Sequence, residues 1–379
     1  MTVVKNALII GGGIGGLTAA RALCQQGIKV DLIEKESKWT VYGVGIIQPN
    51  NFLRALDKIG LAQSCIERGG PFDVWRVYDA PGNLLLDPEP NNDAAPHLPP
   101  NNGITRPILH EILIKGAQEV GANIRLGVKA TSLDDDGESV KVEFSDGSNK
   151  RYDVVIAYDG VFSDTRKMLF GDKYTPKYLG QGVWRYNLPR PVEVDTAGIV
   201  VGSDSKVGLV PMSPTLMYIF LLTKENDDTW YGGPDLADQM RGRMKEYGGL
   251  VGRLREQIVD PNAVVYRPFM GVFVENPWRK GRVILAGDAA HTTSAHLAQG
   301  AAMAVEDAVL LGDLLGKNGS FEDVVSEFMD RRYDRVKYVV DSSAQIAAWE
   351  LEKWQGIHNP NARPGELLHE ATANLMKDY

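Results

Sequence analysis

The sequence predicts an α/β fold in which a Rossmann-like dinucleotide-binding domain is joined to a second, mostly antiparallel β-sheet domain. Three observations carry this reading. A strand, a glycine-rich turn, a helix and a second strand follow one another within residues 3–34. Alternating strand patterns fill residues 176–266. A further strand, a loop and a long helix over residues 281–315 then bring the chain back to the first domain.

In chain order, the run VVKNALII is apolar and short enough for a buried strand, GGGIGG is the turn, LTAARALCQQG the helix and IKVDLIEK the second strand. Between residues 71 and 103 the composition becomes rich in Pro, Asn and Asp, which marks a solvated excursion. From Arg106 the run RPILHEILIKGAQEVG has helical spacing, and NIRLGVKATSL, SVKVEFSDG and RYDVVIAYDG follow as three strand-like runs. In the second domain, AGIVVG, KVGLVP and LMYIFLLT read as strands, and DLADQMRGRMKEYGGLVGRLREQI reads as one amphipathic helix with its linker. The boundaries that result are 1–75, 101–175 and 267–335 for the first, discontinuous domain and 76–100 with 176–266 for the second. Residues 336–379 form a helical tail, with Trp349 and Trp354 expected to pack on the core.

Bulk properties narrow the function. A chain of 379 residues with a formal net charge of −8 has no Lys/Arg excess with which to neutralise phosphates, so neither nucleic acid nor an anionic membrane is an expected partner. Two cysteines, Cys24 and Cys65, with no CxxC or His cluster nearby, give no metal site and fit a reducing cytoplasm. No stretch approaches the roughly 20 apolar residues that span a bilayer. The expected partners are small molecules, on a monomer or a homodimer.

Gly11, Gly13 and Gly16 have GxGxxG spacing, which permits a tight turn, a close backbone approach to a pyrophosphate and tight helix–strand packing. The pattern alone is weak in a chain with 40 glycines; its context is not. A strand precedes it, a helix follows, and Glu34 ends the next strand at the place where an acidic residue accepts ribose hydroxyls. Free N–H groups at the helix start supply the anion site.

Two later motifs decide between a nicotinamide and a flavin. YDGVFSDTR places Asp159, Gly160, Ser163 and Arg166 at DGxxSxxR spacing after an apolar strand, and GRVILAGDAAH places Gly287 and Asp288 after another. With the glycine fingerprint, PNNFLRALDKIGL and TRPILHEIL ahead of them, the ordered set resembles the group A flavoprotein monooxygenases, the family of para-hydroxybenzoate hydroxylase, salicylate hydroxylase and 6-hydroxynicotinate 3-monooxygenase. The resemblance covers nearly the whole chain. It implies a GR2-type FAD-binding domain, FAD as cofactor, NADH or NADPH as co-substrate, and O2. In this reading Asp288 holds the ribityl hydroxyls, Arg106 lies near the phosphates and ribityl chain, and Asp159 and Arg166 serve FAD and NAD(P)H. Asp159 has an alternative role as a plain helix cap. Ile14, Gly15, Lys35, Gly45, Ile46, Gly160, Gly300 and Ala301 complete the expected cofactor set. The helix from Gly300 would turn its N-terminus, with free donors and a positive dipole end, toward the reduced flavin.

The family reaction passes through an electrophilic flavin hydroperoxide, so the expected substrate is an electron-rich aromatic or heteroaromatic ring, phenol- or hydroxypyridine-like, activated by loss of a proton. His296 is the leading candidate base, since the 6-hydroxynicotinate enzyme has His at the matching position; the alternative is a histidine that contacts only backbone. Arg185, in the Trp184–Arg185 pair, either binds a substrate carboxylate or phenolate or closes a structural salt bridge. Tyr218 and Tyr186 are candidate pocket walls, each with a core reading beside it. His291 is expected to fix its loop by a hydrogen bond. Two positions depart from the family: Ala295 stands where Pro is usual, and Tyr158 where Ala is usual. Two other functions stay open on the sequence: a reductase or oxidase of the same fold without oxygen insertion, and a non-catalytic flavin-binding protein. A halogenase is set aside because there is no WxWxIP segment.

Overall fold

The computed structural model describes residues 4–41, 43–90 and 94–379. The first strand, Asn6–Ile10, sits inside a six-stranded sheet with parallel neighbours Val154–Ala157 and Lys29–Glu34. Asn123–Leu126 extends one edge, and Val283–Leu285 with the short Arg279–Lys280 closes the other. Strands buried on both faces must be apolar throughout, which is why Ala7–Ile10 and Val154–Ala157 show no alternation and are buried at every position.

The helix Ile14–Gln25 packs over this sheet against two others, Arg106–Glu119 and Gly300–Leu315. Small residues make the approach possible: a Cβ on Gly312 would lie 2.7 Å from the Ala22 Cβ. The sequence signal for Arg106–Glu119 is visible in its cap, where the Thr105 hydroxyl accepts from the Ile108 N–H at 3.3 Å and Pro107 occupies the first turn.

The second layer is a seven-stranded sheet built from Trp75–Asp79, Leu84–Leu86, Lys177–Pro189, Ala197–Val201, Ser205–Pro211, Leu216–Lys224 and Val265–Phe273. Every pairing in it is antiparallel except Ala197–Val201 with Trp75–Asp79. Residues from the 71–103 excursion therefore join the second sheet. Small three-stranded sheets, Gly45–Pro49 with Asn101–Thr105 and Gly70–Phe72, and Ala130–Asp135 with Val140–Phe144 and Asn149–Tyr152, complete the fold.

Three local readings change. The single amphipathic helix expected after residue 235 is two helices, Leu236–Arg243 and Gly249–Arg255; the first ends before Met244, and Gly249, at φ +51°, opens the second after a turn. The run RYDVVIAYDG divides at Asp153, whose carboxylate accepts the Lys5 and Asn6 N–H groups, so its two halves belong to different sheets. One unbroken helix, Phe321–Trp354, runs through residue 336. Trp354 packs beside Val183, Leu222 and Phe269, so this helix closes over the second sheet. Among the described residues no helix is long and apolar enough to cross a membrane.

Candidate active site

Between the two layers lies a cavity of about 670 Å³, within the range of small-molecule and cofactor sites. The parallel-sheet layer lines it with Gly12–Gly15, Glu34, Gly45, Ile46, Arg106, Gly160, Asp288 and Gln299–Ala301. The seven-stranded sheet contributes Val183, Arg185, Tyr218, Phe220, Leu222 and Arg267–Met270.

Two helices begin at this cavity, each without a side-chain cap. Ile14–Gln25 starts after Gly13 and Gly300–Leu315 after Gln299. Their first N–H groups are unpaired within the helix and carry the positive end of the dipole, so each helix start is an anion-binding point on the cavity wall. Glycine is required around the first. Gly11 has φ +108°, and a Cβ on Gly16 would lie 1.9 Å from the Gly11 carbonyl oxygen, whereas Gly13 faces nothing within 4 Å and leaves its backbone open to a ligand. Glu34 accepts from the Gly12 N–H at 2.8 Å and the Glu36 N–H at 3.0 Å, which fixes its carboxylate at the cavity wall. Trp39 packs over Gly12, and His110 meets the Gly12 carbonyl at 2.8 Å.

Asp288 opens onto the cavity. Burial pushes its carboxyl up, against the pull of His291, Arg106 and Arg166. Arg106 faces it and makes no side-chain hydrogen bond with a described residue; burial lowers its guanidinium while Tyr218 and Asp288 support it. The cavity therefore offers a phosphate-binding helix start, an acidic residue beside it, and an Asp–Arg pair further along. That donor set fits FAD.

The side chains of Asp159 and Arg166 bond within the chain. Asp159 accepts from the Ser163 hydroxyl at 2.5 Å and the Thr165 N–H at 2.9 Å, which is the capping role. Arg166 is buried and donates to the carbonyls of Tyr174, Ala289 and Val161, stapling the Asp159 turn to the Asp288 loop. Neither lines the cavity, nor does the exposed Lys35; Gly11, Gly16 and Gly287 support the lining from behind. Tyr158, the family departure, lies against Gly15 and Gly287, so two glycines make room for its ring.

Behind the helix from Gly300 runs a buried ionic cluster. Arg332, with no exposed side-chain area, pairs with Glu306 at 2.5 Å and Asp307 at 2.8 Å, and Arg335 adds a second contact to Glu306. Asp307 accepts from the Gly287 N–H at 3.0 Å and meets His291 at 2.6 Å. His291 thus fixes the Asp288 loop, as its position suggested. Asn51 bridges the cluster to the cavity by donating to Glu306 and to Gln299.

On the other side, Arg185 makes no side-chain hydrogen bond with a described residue. Burial and the neighbouring charges of Arg106 and Arg267 lower its guanidinium to about 10, with Tyr218 acting the other way. Burial pushes the Tyr218 hydroxyl up to about 12, against Arg185 and Arg106. Positive charge beside a neutral phenol, with no described carboxylate on Arg185, makes an environment for an anionic ligand. Tyr186 and Trp184 sit on the opposite face of the same strand, where Trp184 donates to Thr223 and both pack in the core of the second sheet. Strand alternation separates them from Arg185.

His296 is brought near the cavity but does not line it. Its buried ring meets the Ser294 hydroxyl through Nδ1 at 2.8 Å and Glu350 through Nε2 at 3.0 Å, with the edge of Phe269 beside it. Ala295 begins a single 3₁₀ turn, Ala295–Leu297, after an extended Ser294. That is a first-turn position where proline and alanine are both accommodated, so the family's proline is not needed for this backbone path. Residues not singled out from the sequence, namely Trp39, His110, Arg267, Ser294, Gln299 and Glu350, join the site through contacts distant in sequence. Only Gln299 carried a local signal, as the residue before a glycine-opened helix.

Glu350 gives an acid-stability prediction. Burial alone would raise its carboxyl, but Lys206 and His296 outweigh burial and hold it at about 2, below the ordinary 4.5. Folding therefore favours the ionised form. Its contribution is present above about 4.5 and is lost as pH falls toward 2. Thermal melts taken across that window should lose stability more steeply for the natural protein than for Glu350→Gln; identical slopes would show that this carboxylate is uncoupled from folding.

Comparison with known proteins agrees with this geometry. The model of the family described as "FAD binding domain" matches residues 5–342. A protein of Bacillus subtilis (strain 168) named "Putative FAD-dependent monooxygenase YetM" is 32% identical over 380 residues, covering 99% of this chain and 100% of that protein. The 6-hydroxynicotinate 3-monooxygenase of Pseudomonas fluorescens is 28% identical over 348 residues, covering 84% and 85% of the two chains. Among solved structures, Klebsiella pneumoniae HpxO complexed with FAD and uric acid superimposes with a TM-score of 0.82 at 23% identity, covering 98% of this chain and 97% of that one.

Proposed function

Since the chain belongs to the FAD binding domain family and is an FAD-dependent monooxygenase, we propose that it hydroxylates an anionic, hydroxylated aromatic or heteroaromatic ring, using NADH or NADPH and O2. The observation that carries this reading is the pairing, in one cavity, of an FAD-type donor set with a guanidinium, Arg185, that has no carboxylate partner among the described residues. The 6-hydroxynicotinate relative acts on a ring of this class by its name.

FAD, reduced by the nicotinamide, supplies the activation of O2 for transfer of one oxygen atom to the ring. The chain's own residues do the rest. Gly12–Gly15 and the N–H groups of the following helix hold the pyrophosphate, Glu34 the ribose, and Asp288 with Arg106 the ribityl region. Gln299–Ala301 would offer a positive helix end to negative charge on the bound cofactor. Arg185 orients the ring by its carboxylate or phenolate, Tyr218 donates its tightly held hydroxyl hydrogen, and Val183, Phe220, Leu222 and Phe269 exclude water from the reacting face.

Screening phenols, hydroxybenzoates and hydroxypyridines for stimulated NADH or NADPH oxidation, with mass spectrometry of the product, tests the reading. A product heavier by one oxygen supports it, and nicotinamide consumption without a changed ring contradicts it. For the ring so found, Arg185→Met should raise KM by roughly 100-fold while bound FAD is retained, the size expected for removing one charge-assisted contact of about 2–3 kcal/mol. An unchanged KM would move the substrate's anionic group elsewhere.

A further inference from the structure

Trp230 stands at the open end of the cavity, in a position that neither the cofactor contacts nor Arg185 accounts for. It lines the cavity and is 53% exposed, so it lies where the cavity meets solvent. Its ring covers the Arg267 guanidinium, 4.5 Å from the ring centroid. Arg267 lines the cavity too and donates to the Tyr266 carbonyl. Across the antiparallel strands Lys177–Pro189 and Val265–Phe273, Val183 pairs with Arg267 and Arg185 with Val265. Arg185 and Arg267 are therefore diagonal neighbours on one face of the sheet. Burial, Arg106 and Arg267 together lower the Arg185 guanidinium, as that proximity requires. The cavity floor thus runs from Arg185, past Val183, to an arginine capped by an indole.

The neighbouring residue fixes Trp230 in place. Tyr266 and Arg267 point to opposite faces of the sheet, as successive strand residues do. On the core face Tyr231 packs against Tyr266 at 4.8 Å and stacks on Trp184 at 5.3 Å, while Trp230 covers Arg267 on the cavity face. The chain can straddle the strand in this way because Val265–Phe273 is the last strand of its sheet. Tyr231 also donates to Glu225 at 3.1 Å, and Glu225 accepts from Arg243 at 3.0 and 3.2 Å and from the Thr223 hydroxyl at 2.7 Å. Gly232 and Gly233, the latter at φ +104°, then turn the chain toward the helix Leu236–Arg243. The backbone at Trp230 is pinned from the core side. Its ring is held to Arg267 by a cation–π contact, which is weak at an exposed site.

We infer that Trp230 is the end wall of the substrate arm and the residue that selects a single ring, seated at Arg185, over a fused or chain-extended one. The inference rests on the anionic-ring reading above. A second fused ring continuing along the floor from Arg185 meets the indole, which must leave Arg267 to let it pass. Shortening Trp230 removes the obstacle and leaves the Tyr231 anchor untouched.

Two measurements on the FAD-loaded protein test the wall, and neither needs turnover. The probes for the first are para-hydroxybenzoate and the hydroxynaphthoate that carries its hydroxyl and carboxylate at opposite ends of two fused rings. Binding is read from the perturbed visible absorbance of the flavin. The natural protein should favour the one-ring probe, and Trp230→Ala should move the ratio of dissociation constants at least tenfold toward the two-ring probe, with Trp230→Phe between them. No gain of the two-ring probe on Trp230→Ala, with FAD content and melting temperature preserved, overturns the wall. Failure of both probes to bind any of these proteins contradicts the anionic-ring reading instead, and the second measurement then decides the wall. Fluorine nuclear magnetic resonance of protein labelled with fluorotryptophan, with Trp230 assigned by the signal lost in Trp230→Phe, should show that signal displaced by Arg267→Met without any ligand. A Trp230 signal indifferent to Arg267→Met overturns the wall whatever the substrate.

Discussion

Gly16→Val protein is expected to emerge colourless, and to stay so when mixed with FAD. At this position even a Cβ would lie 1.9 Å from the Gly11 carbonyl oxygen and 3.3 Å from the Ile9 side chain, and the contact at Gly11 is backbone. Neither partner can swing aside. The helix Ile14–Gln25 would have to lift from the strand Asn6–Ile10, carrying its free N–H groups away from the pyrophosphate position. The loss should exceed 100-fold in FAD affinity, since the helix start and the closely approaching backbone act together at roughly 1–3 kcal/mol per charge-assisted contact. Gly13→Ala is the informative companion, because nothing lies within 4 Å of that position in the protein itself. It should fold normally and weaken FAD binding only through contact with the cofactor. The absorbance of the purified proteins and fluorescence titration with FAD measure both. A yellow Gly16→Val protein would show that the glycine turn is not the flavin site.

The second large effect lies outside the cavity. Arg332→Leu leaves Glu306 and Asp307, both fully buried, without the cation they share. Burial alone would raise the Asp307 carboxyl, and His291 and Arg332 together hold it at about 2. Breaking a buried pair by deleting one partner costs roughly 3–5 kcal/mol, because the other charge stays desolvated. The melting temperature should fall by on the order of 10 °C. The loss should extend to the flavin, since Asp307 also holds the Gly287 N–H and His291, and through them the Asp288 loop. Calorimetry with and without FAD checks this; an unchanged melting temperature would mean that the cluster is neutral in the folded protein.

Much of the fold was legible because it is written locally. The strand–GGGIGG–helix–strand unit needs no distant partner to be recognised, and Thr105 with Pro107 announces its helix within three residues. The helix break between Arg243 and Gly249 and the division at Asp153 are not legible in the sequence, because the first is a turn inside a run of helical spacing and the second depends on how one carboxylate is used by a neighbouring element. The same distinction runs through the site. Gly13, Glu34, Arg106, Asp288 and Gly300 line the cavity where the spacing and the family resemblance place them. Asp159 and Arg166 fall in an equally clear motif, yet their bonds go to a helix cap and to carbonyls, because a motif specifies residue types and not the partners that tertiary structure supplies. His296 and Glu350 are 54 residues apart, and Lys206 lies 144 residues before Glu350. No periodicity could join them; only the closure of the long C-terminal helix over the second sheet does.

The most direct test of the account is turnover under isotopically heavy O2, with the ring substrate found by screening, followed by mass spectrometry of the product. One heavy oxygen atom in the ring hydroxyl, with one nicotinamide oxidised per product, is the predicted result. A product whose added oxygen comes from water, or a ring returned unchanged while nicotinamide is consumed, would contradict it.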